Sequence, residues 1–539
     1  MYIRDELSYD RYHEKADQIY RMVRERNING EAVPSVGQPF RLGETLAEDI
    51  PEIKAQVRFF RLHQEAPVIS RGEDQFYEER FYFTDANVFE FFSFKLLRGD
   101  PGTVLKEPFS VVLTESMARK YFGEQDPVGK TLTLLDQFEL TVTGISEDTP
   151  ANSHFHFDFL ASHKNLDDIF FAGPRFKTTW IYNPCYTYIL LAENAAISDI
   201  LPQTEPFVNR HIDDELKRLY LNIYFQKLTD IHLHSHYQGE IEANSDIIYI
   251  YIFSAIGFLI LLIACINFVN LSTARSIRRA KEVGLRKVLG ARRDQLIKQF
   301  LGESILLSFL ALLLAVAIIE LFLPTYNMLT GKQLQAGFLA DGWVLLTLVG
   351  IALFTGLISG LFPAFYLSAF KPVKVLKVGF AVGASGRASL LRRLLVVAQF
   401  TISIAMIIGT ITVYQQLDYL RNKKLGFDRE QILAVPINNT EIQEHIPAFK
   451  SELLRQANII NVAATSHVIG KDIDNHGYRP EGVAEEDYSM MPGLYADNDL
   501  VATLGAAIVA GRDFSPDIAT DTSEAFIINE TAVKKFGWS

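Results

Sequence analysis

The chain has 539 residues, a formal net charge of −12 and two cysteines, Cys185 and Cys265. This length is enough for several domains. The acidic balance, with no long basic tract, argues against nucleic-acid binding. Cys265 lies in an apolar stretch and Cys185 in a polar region, so the chain is not a disulfide scaffold.

Residues 1–246 have a soluble-type composition, and their patterns predict an α+β domain. Alternating or β-branched apolar runs indicate strands, whereas longer amphipathic runs indicate helices. The predicted helices are Tyr9–Arg24, Gly37–Asp49, Ser116–Phe122 and Asp199–Tyr220. The predicted strands are Ser110–Leu113, Thr131–Leu135, Leu140–Gly144, Tyr186–Leu191 and Ile223–Lys227.

One segment of this domain superficially suggests a phosphate-binding loop. It runs from Gly123 through Gly129 to Lys130 and Thr131. A P-loop needs four residues between its glycines, and here there are five. We therefore interpret the segment as a turn that leads into the following strand, and we predict no nucleotide site in this chain.

Two groups of histidines raise the question of a metal site. His232, His234 and His236 alternate and would share one face of a strand, where imidazoles can bind zinc. No carboxylate or cysteine pattern completes a site, and we interpret the run as a polar face. The other group, His154, His156 and His163, is equally incomplete. We predict no metal, no cofactor and no catalytic residue.

Four apolar stretches have the length of membrane spans. A bilayer core needs about 20 apolar helical residues, and lipid requires each backbone to satisfy its own hydrogen bonds. The sequence therefore predicts a bundle of transmembrane helices. The stretches are Ile247–Leu271, Ile305–Leu323, Trp343–Leu367 and Leu394–Val413.

The charges between the stretches predict the topology. Residues 274–298 and 371–393 are strongly basic. The loop between the second and third stretches has only two charged residues, Lys332 and Asp341. Basic loops stay in the cytoplasm. Residues 1–246 and 420–539 are therefore both expected on the outer side, in spite of the basic Arg421, Lys423 and Lys424 after the fourth stretch.

The two outer regions contain a repeated pattern. Thr114–Gly123 resembles Asn529–Gly537 with one residue deleted, and each follows an apolar run, Phe109–Leu113 or Ala525–Ile528. Upstream, Leu97–Asp100 matches Ala510–Asp513. Matching features in the same order predict one domain type used twice. Because no signal precedes the first outer domain and the second ends early, we expect the sequence to be a fragment, without a preceding span and a C-terminal part.

The first basic loop contains the segment Ala280–Leu296, which is followed by Phe300–Glu303. These residues resemble the MacB/FtsX-type ABC transporter permeases. Further similar segments are Asp5–Asp10, Asp126–Lys130 and Phe362–Ala364. The resemblance implies a mixed fold, in which a helical transmembrane bundle carries α+β extracytoplasmic domains of MacB periplasmic-core type.

The resemblance also implies a division into domains. A MacB-like core domain occupies 1–246, and an FtsX-like transmembrane domain with a coupling loop at 274–300 occupies 247–370. A cytoplasmic linker at 371–393, a fourth span at 394–419 and a truncated second outer domain at 420–539 follow.

The function implied by the resemblance is that of a non-catalytic permease in the inner (plasma) membrane. A separate cytoplasmic ABC ATPase would drive it, and movements of the outer domains would export or extract a substrate. The residues implied to couple the two subunits are Glu282, Val283, Gly284, Arg286, Lys287, Gly290, Ala291, Arg292 and Arg293. A cytoplasmic position alone would explain the basic charge of this loop, but it would not explain the spacing of Gly284 and Gly290. Glu282 can also pair with Arg286 one helical turn on.

Several alternatives remain open at this stage. The same fold could regulate a cell-wall hydrolase or sense an antimicrobial, and an outer-face enzyme or a receptor without an ATPase are further classes. A periplasmic adaptor or outer-membrane partner is compatible with the resemblance. A dimer and a duplicated pseudo-dimer are equally compatible, and the sequence does not name the substrate.

Overall fold

The computed structural model divides into two compact units. One comprises Met1–Leu7 and Asp246–Lys423, and the other Ser8–Ser245 and Lys424–Ser539. The structure describes residues 1–538 except 29–30, 62–65, 170–174, 221, 335–336, 338–341, 369–385, 429, 438–439, 471–472, 474 and 484–488. Most of the predicted linker 371–393 therefore lies outside the described residues.

The helices and strands have the following bounds. The helices are α1 Tyr2–Glu6, α2 Leu42–Asp49, α3 Val88–Phe91, α4 Glu115–Phe122, α5 Leu166–Ile169, α6 Arg175–Thr178, α7 Ile197–His211, α8 Ile231–His234, α9 Ile247–Val288, α10 Arg293–Thr330, α11 Gly342–Ser368, α12 Gly386–Asn422, α13 Thr440–Glu444, α14 Ile446–Leu453, α15 Leu500–Leu504 and α16 Glu530–Phe536. The strands are β1 Ile19–Ile28, β2 Glu31–Ser35, β3 Gly37–Gln38, β4 Ile53–Phe60, β5 Val68–Arg71, β6 Asp74–Tyr77, β7 Phe81–Thr84, β8 Leu96–Arg98, β9 Ser110–Thr114, β10 Thr131–Leu134, β11 Phe138–Ser146, β12 Phe159–Ser162, β13 Cys185–Leu191, β14 Asn222–Lys227, β15 Asn475–Tyr478 and β16 Ser489–Pro492.

A single mixed sheet organises residues 8–245. Its strand order is β14-β1-β13-β4-β7-β12-β9-β11-β10-β5-β6, and β2, β3 and β8 attach at its sides. The pairs β9–β11 and β7–β12 are parallel, and the other pairs are antiparallel. Short helices cover the sheet, which gives the predicted α+β outer domain.

Aromatic side chains fill much of the core of this domain. Phe59 contacts Phe155 with ring centroids 4.8 Å apart, and Tyr188 lies edge-on to Phe59. All three are fully buried or nearly so. Such ring pairs contribute about 0.5–1.5 kcal/mol beyond their buried area. Both native thiols, Cys185 and Cys265, are buried and free.

Several sequence-based predictions for this domain need correction. The predicted helix Tyr9–Arg24 is wrong, because turns lead from residue 7 into strand β1. The segment Gly37–Asp49 begins with a short strand and becomes helical only at Leu42. Helix α7 ends at His211, and a 3₁₀ turn over Asp214–Leu219 replaces the rest of the predicted helix.

The remaining predictions for this domain agree with the structure. The five predicted strands coincide with β9, β10, β11, β13 and β14, and the predicted helix Ser116–Phe122 coincides with α4. Residues 123–130 form a turn, as expected, in which Lys130 N–H donates to the Pro127 carbonyl oxygen at 3.0 Å.

The four predicted membrane spans are confirmed as long apolar helices. The segments with the length and composition to cross a membrane lie in α9, α10, α11 and α12. Helix α9 does not end with its apolar part at Ser272 but continues without a break to Val288. Pro363 does not end its helix either, since α11 continues to Ser368.

Close contact between α10 and α11 depends on two glycines of α11. A Cβ atom on Gly356 would lie 2.8 Å from Ile305 Cα, and one on Gly360 would lie 2.8 Å from Ser304 Cβ. Small residues allow membrane helices to approach closely. Gly350, on the same helix, faces open space and takes no part in this contact.

Residues 424–538 form short elements, and their last helix matches α4 of the first domain in detail. The Thr114 hydroxyl caps α4 by accepting from Met117 N–H, and the Asn529 side chain caps α16 by accepting from Ala532 N–H. Both helices end at a glycine with positive φ, Gly123 or Gly537. The matching caps are consistent with the predicted repeat.

The residues before the two helices differ in environment. Val111 is fully buried in β9, whereas Phe526, its counterpart in the repeat, is 72% exposed. The apolar run Ala525–Ile528 has no regular structure, whereas most of the matching run Phe109–Leu113 lies in β9. Among the described residues, no other part of the chain therefore covers the side chain of Phe526 as the sheet covers Val111.

Candidate functional site

The predicted coupling residues lie at the hairpin between α9 and α10. Helix α9 ends at Val288, and Gly290 adopts φ +98°, a conformation that favours glycine. Ala291 N–H donates to the Arg286 carbonyl oxygen at 3.0 Å, and Gly290 N–H donates to the Lys287 carbonyl oxygen at 3.1 Å. These bonds satisfy carbonyls at the end of the helix. The turn expected from Gly290 and Ala291 is therefore present.

Helix α10 begins immediately after this turn. The Arg292 backbone N–H donates to Gln295 Oε1 at 3.0 Å, and its side chain pairs with Asp294 at 3.2 Å. Asp294 lies in the first turn of α10, where a carboxylate interacts favourably with the helix dipole. The hairpin is thus tight and closed by its own residues.

The inner face of the hairpin packs against α11. Val283 of α9, Leu296 and Phe300 of α10, and Ala364 of α11 form one buried apolar cluster. Gly284 is also buried. Of the predicted coupling residues, Val283 and Gly284 therefore face the interior between the helices and can support the hairpin.

Two of the predicted cations also contact α11. Lys287 Nζ donates to the Ser368 carbonyl oxygen at 2.5 Å, and Arg293 Nε donates to Ser368 Oγ at 3.3 Å. Ser368 is the last residue of α11 that the structure describes. Lys287 and Arg293 thus hold the hairpin to the end of a neighbouring span.

Arg286 is held within the hairpin. It pairs with Glu282 at 2.7 Å, which confirms the predicted contact one turn apart, and it donates to Gln299 Oε1 at 2.6 Å. Gln299 in turn donates to Glu303 at 3.1 Å. The Arg286 side chain remains 43% exposed, so a partner could still reach it.

The outward face of the hairpin is apolar, and sequence reasoning missed it. Leu285, Val288 and Leu289 are 56%, 61% and 79% exposed. Their spacing of three and four residues places them on one side of the helix end, away from Val283. Apolar residues at this spacing, in a loop outside the spans, were the sequence signal that could have predicted this face. Arg292 is exposed beside them.

The histidines considered for metal binding have separate roles. His154 bonds to Asp10 and Tyr188, and His156 pairs with Glu242. His232 and His234 lie on α8 and not on the strand that was expected. Within the part of the chain that the structure describes, no group of three or more histidine, cysteine or acidic side chains could hold a metal ion.

Fold and site together define a membrane protein with several spans and a mixed α/β outer domain. Two family models match it. The MacB-like periplasmic core domain matches residues 1–205, and the FtsX-like permease C-terminal region matches residues 254–372. The chain therefore carries the two parts of the MacB/FtsX type, a MacB-like periplasmic core domain and an FtsX-like permease region.

Individual relatives agree with this assignment. The macrolide export ATP-binding/permease protein MacB of Bdellovibrio bacteriovorus is 23% identical over 282 residues, which are 49% of this chain and 38% of the relative. The pyoverdine export ATP-binding/permease protein PvdT of Pseudomonas aeruginosa is 24% identical over 271 residues, 49% of this chain and 36% of the relative. The chain thus spans little more than a third of the length of these relatives.

Solved structures of outer domains are also similar in part. The periplasmic region of MacB from Actinobacillus actinomycetemcomitans covers 40% of this chain and 91% of its own, with 13% identity and a TM-score of 0.29. The extracellular domain of the ABC-type transporter YknZ covers 39% of this chain and 99% of its own, with 10% identity and a TM-score of 0.28. The family assignment rests on the sequence models.

Proposed function

We propose that this chain is the permease component of an ABC-type transporter in the inner membrane. A separate cytoplasmic ATPase drives the α9–α10 hairpin, and the hairpin moves the spans and the outer domains. These movements export or extract a substrate on the outer side. The observation that carries this proposal is an exposed apolar hairpin tip supported from behind by α11.

The side of the membrane on which the α9–α10 hairpin is expected supports a cytoplasmic partner. The chain matches a periplasmic core domain up to residue 205, and the apolar segment Ile247–Ser272 follows. A single crossing brings the hairpin to the opposite side of the membrane. The basic residues around it favour the same side.

The division of labour within the hairpin supports a docking role. Val283, Leu296 and Phe300 are buried against α11, so the hairpin is held in place. Leu285, Val288 and Leu289 point away and remain exposed. Exposed apolar residues beside charged ones are typical of protein contact surfaces. A partner that covers these three side chains would press on α10 and α11 through the buried cluster.

The nine predicted coupling residues take different parts in this proposal. Arg292 and Glu282 lie on the accessible surface, and Gly290 and Ala291 shape the turn. Arg286, Lys287 and Arg293 fix the hairpin through side-chain bonds, and Val283 and Gly284 fill its interior. The direct docking surface is therefore extended to Leu285, Val288 and Leu289, which were not in the predicted set.

The test begins with purification of the protein from native membranes in mild detergent. We expect an ABC ATPase to copurify in stoichiometric amount. Leu289→Asp should abolish copurification, because the substitution places a charge where apolar contact is proposed. Val509→Asp is the matched control, since Val509 is 80% exposed in the second outer region. It should leave the ATPase bound.

Two outcomes would contradict the proposal. One is full retention of the ATPase by Leu289→Asp and by the equivalent Val288→Asp. The other is recovery of a cell-wall hydrolase or a signalling protein in place of any ATPase, which would favour the regulatory alternative.

A further inference from the structure

Strand β1 of the outer domain carries buried arginines on both of its faces. Side chains of a strand alternate between the faces, so Met22, Arg24 and Arg26 share one face and Arg21 lies on the other. Arg21 pairs with the Glu240 carboxylate at 2.6 Å. No carboxylate oxygen among the described residues accepts a hydrogen bond from Arg24. The same strand thus holds one buried arginine with a counter-charge and one without.

Arg24 is fully buried, yet its guanidinium group lacks acceptors. Its exposed fraction is 0%, and Nε, Nη1 and Nη2 have no hydrogen-bond partner among the described residues. A guanidinium group has five N–H bonds and stays charged at neutral pH. Burial of such a group without acceptors is costly, and native domains contain few examples. We therefore expect an acceptor that the polypeptide itself does not supply.

The side chains around Arg24 are aromatic and apolar. The Arg24 Cζ atom lies 4.4 Å from the centroid of the Tyr220 ring. The Tyr220 hydroxyl donates to the Trp180 carbonyl oxygen at 2.6 Å, and both aromatic residues belong to one buried apolar cluster with Met22. The ring stabilises one face of the guanidinium cation. The N–H bonds lie in the plane of the cation and still need acceptors.

Arg26 brings a second cation to the same face. Residues two apart on a strand are separated by roughly 6.6 Å. Arg26 Nη2 donates to Gln238 Oε1 at 2.8 Å, whereas its buried Nε has no partner among the described residues. Burial lowers the pKa of both arginines, that of Arg24 to about 10, and the charge of Arg26 adds to the lowering at Arg24. A bound anion would stabilise both charged forms.

The burial of Arg24 limits the size of such an anion. Because Arg24 has no exposed surface, a ligand that contacts its guanidinium group must be enclosed by the domain. The planar fork of N–H donors is suited to halides and carboxylates. A polyatomic dianion such as phosphate needs more room and has a larger desolvation cost. A small monovalent anion meets both conditions.

We propose that Arg24 and Arg26 bind a small monovalent anion, of the size of chloride or formate, inside the outer domain beside Tyr220. The anion accepts hydrogen bonds from N–H groups of Arg24 and balances its charge. Because the site is enclosed, the anion enters during local opening of the domain, and an equilibrium measurement does not depend on how fast this occurs. The site does not depend on the proposed transport function.

The test measures the free energy of unfolding of the outer domain in the full chain, in mild detergent and urea. Sodium chloride replaces sodium gluconate at constant ionic strength, because gluconate is too large for an enclosed site. Trp180 packs against Tyr220 with ring centroids 6.3 Å apart and reports unfolding by fluorescence, once Trp343 and Trp538 are changed to Phe in every chain. Above the dissociation constant, a single site should raise the folded-to-unfolded ratio about tenfold for each tenfold increase in chloride.

Three variants make the result specific. Arg24→Met should remove the chloride dependence, and with gluconate alone it should be no less stable than the unchanged chain, because it has lost a buried charge. Arg26→Met should bind chloride at least about tenfold more weakly, since one charge-assisted bond is lost. Arg119→Met is the matched control, because it removes an arginine whose side chain is 69% exposed. It should keep the full chloride dependence.

Equal chloride dependence in Arg24→Met and the unchanged chain would overturn the inference. Absence of any chloride dependence in the unchanged chain would also overturn it. If Arg24→Met does not fold, the comparison of Arg26→Met with Arg119→Met decides in the same way. Sodium formate should stabilise the unchanged chain as chloride does. Greater stabilisation by sodium phosphate than by chloride would assign a dianion to the site and contradict the proposed class of ligand.

Discussion

Lys287 of α9 donates a 2.5 Å hydrogen bond to the backbone carbonyl oxygen of Ser368, the last residue of α11. The two residues are 81 positions apart in the sequence. The bond is charge-assisted, because an ammonium group donates to a backbone carbonyl oxygen in a partly buried setting. It links the hairpin directly to a span.

We therefore expect Lys287→Met to loosen the hairpin without exposing a new charge. The predicted cost is about 1 kcal/mol, because a charge-assisted bond is lost and most of the stem is retained. Thermal unfolding in detergent, followed by intrinsic fluorescence, measures the change. Lys298→Met is the control. Equal melting temperatures for the two variants would argue against a structural role for the Ser368 contact.

Gly360→Ala should destabilise the contact between α10 and α11. The added Cβ would meet Ser304 Cβ at 2.8 Å, too close for either helix to stay in place, and such overpacking costs about 1–3 kcal/mol. Gly350→Ala on the same helix faces open space and should be neutral or slightly stabilising. Thermal unfolding of the two variants side by side provides the measurement, and similar losses in both would contradict the steric explanation.

Arg21 and Arg24 are fully buried on the same strand, yet we expect opposite effects when each is changed to Met. Arg21 bonds to Glu240 at 2.6 Å and to Gln226 at 2.7 Å. Its loss leaves a buried acid without its partner, at a cost of about 3–5 kcal/mol. Arg24 lies over the Tyr220 ring, and its three guanidinium nitrogens have no hydrogen-bond acceptor among the described residues.

Burial lowers the pKa of Arg24 to about 10, which indicates that the charged form is poorly accommodated. Arg24→Met should therefore raise the free energy of unfolding by about 1 kcal/mol, the relief of desolvation less the lost cation–π contact. Chemical denaturation of both variants, monitored by fluorescence, tests the pair. A loss of stability in Arg24→Met would show that the Tyr220 contact outweighs desolvation.

The buried pair Arg58–Asp85 predicts acid sensitivity of the outer domain. Arg58 Nη2 and Asp85 Oδ1 are 2.6 Å apart, and both side chains are at most 10% exposed. Burial opposes ionisation of Asp85, but the hydrogen bonds and charge of Arg58 prevail and lower its pKa. Because the pKa of Asp85 is lower in the folded state than in the unfolded state, where it is near 4, the pair stabilises the fold at pH values above about 4. This stability is lost as the pH falls through the pKa of the folded state.

Asp85→Asn should remove about 3–5 kcal/mol at neutral pH, because Arg58 is left buried without its counter-charge. The variant should also lose less of its free energy of unfolding as the pH falls below about 4. Glu44→Gln is the control, since Glu44 contacts the same arginine at 3.2 Å but is 60% exposed. Unfolding measured between pH 3 and pH 7 compares them, and an unchanged acid slope in Asp85→Asn would contradict the assignment.

The sequence predicted the spans because they depend on local composition. It did not predict strand β1, since Arg21 and Arg24 point into the domain and their charges hide the alternation of a strand behind the appearance of an amphipathic helix. At the hairpin, Gly290 indicated the turn. The contacts of Lys287 and Arg293 with Ser368 could not be predicted, because they join residues 75 or more positions apart.

Helix α9 extends well beyond its membrane-crossing part. Its apolar segment ends at Ser272, and the helix continues to Val288, about 24 Å further at 1.5 Å per residue. Under the proposed function, such an extension would act as a lever arm. A modest sideways push at Leu289 would tilt the whole helix, whose other end begins at Asp246, the residue after Ser245 of the outer domain. One unbroken helix would then carry a displacement from one face of the membrane to the other.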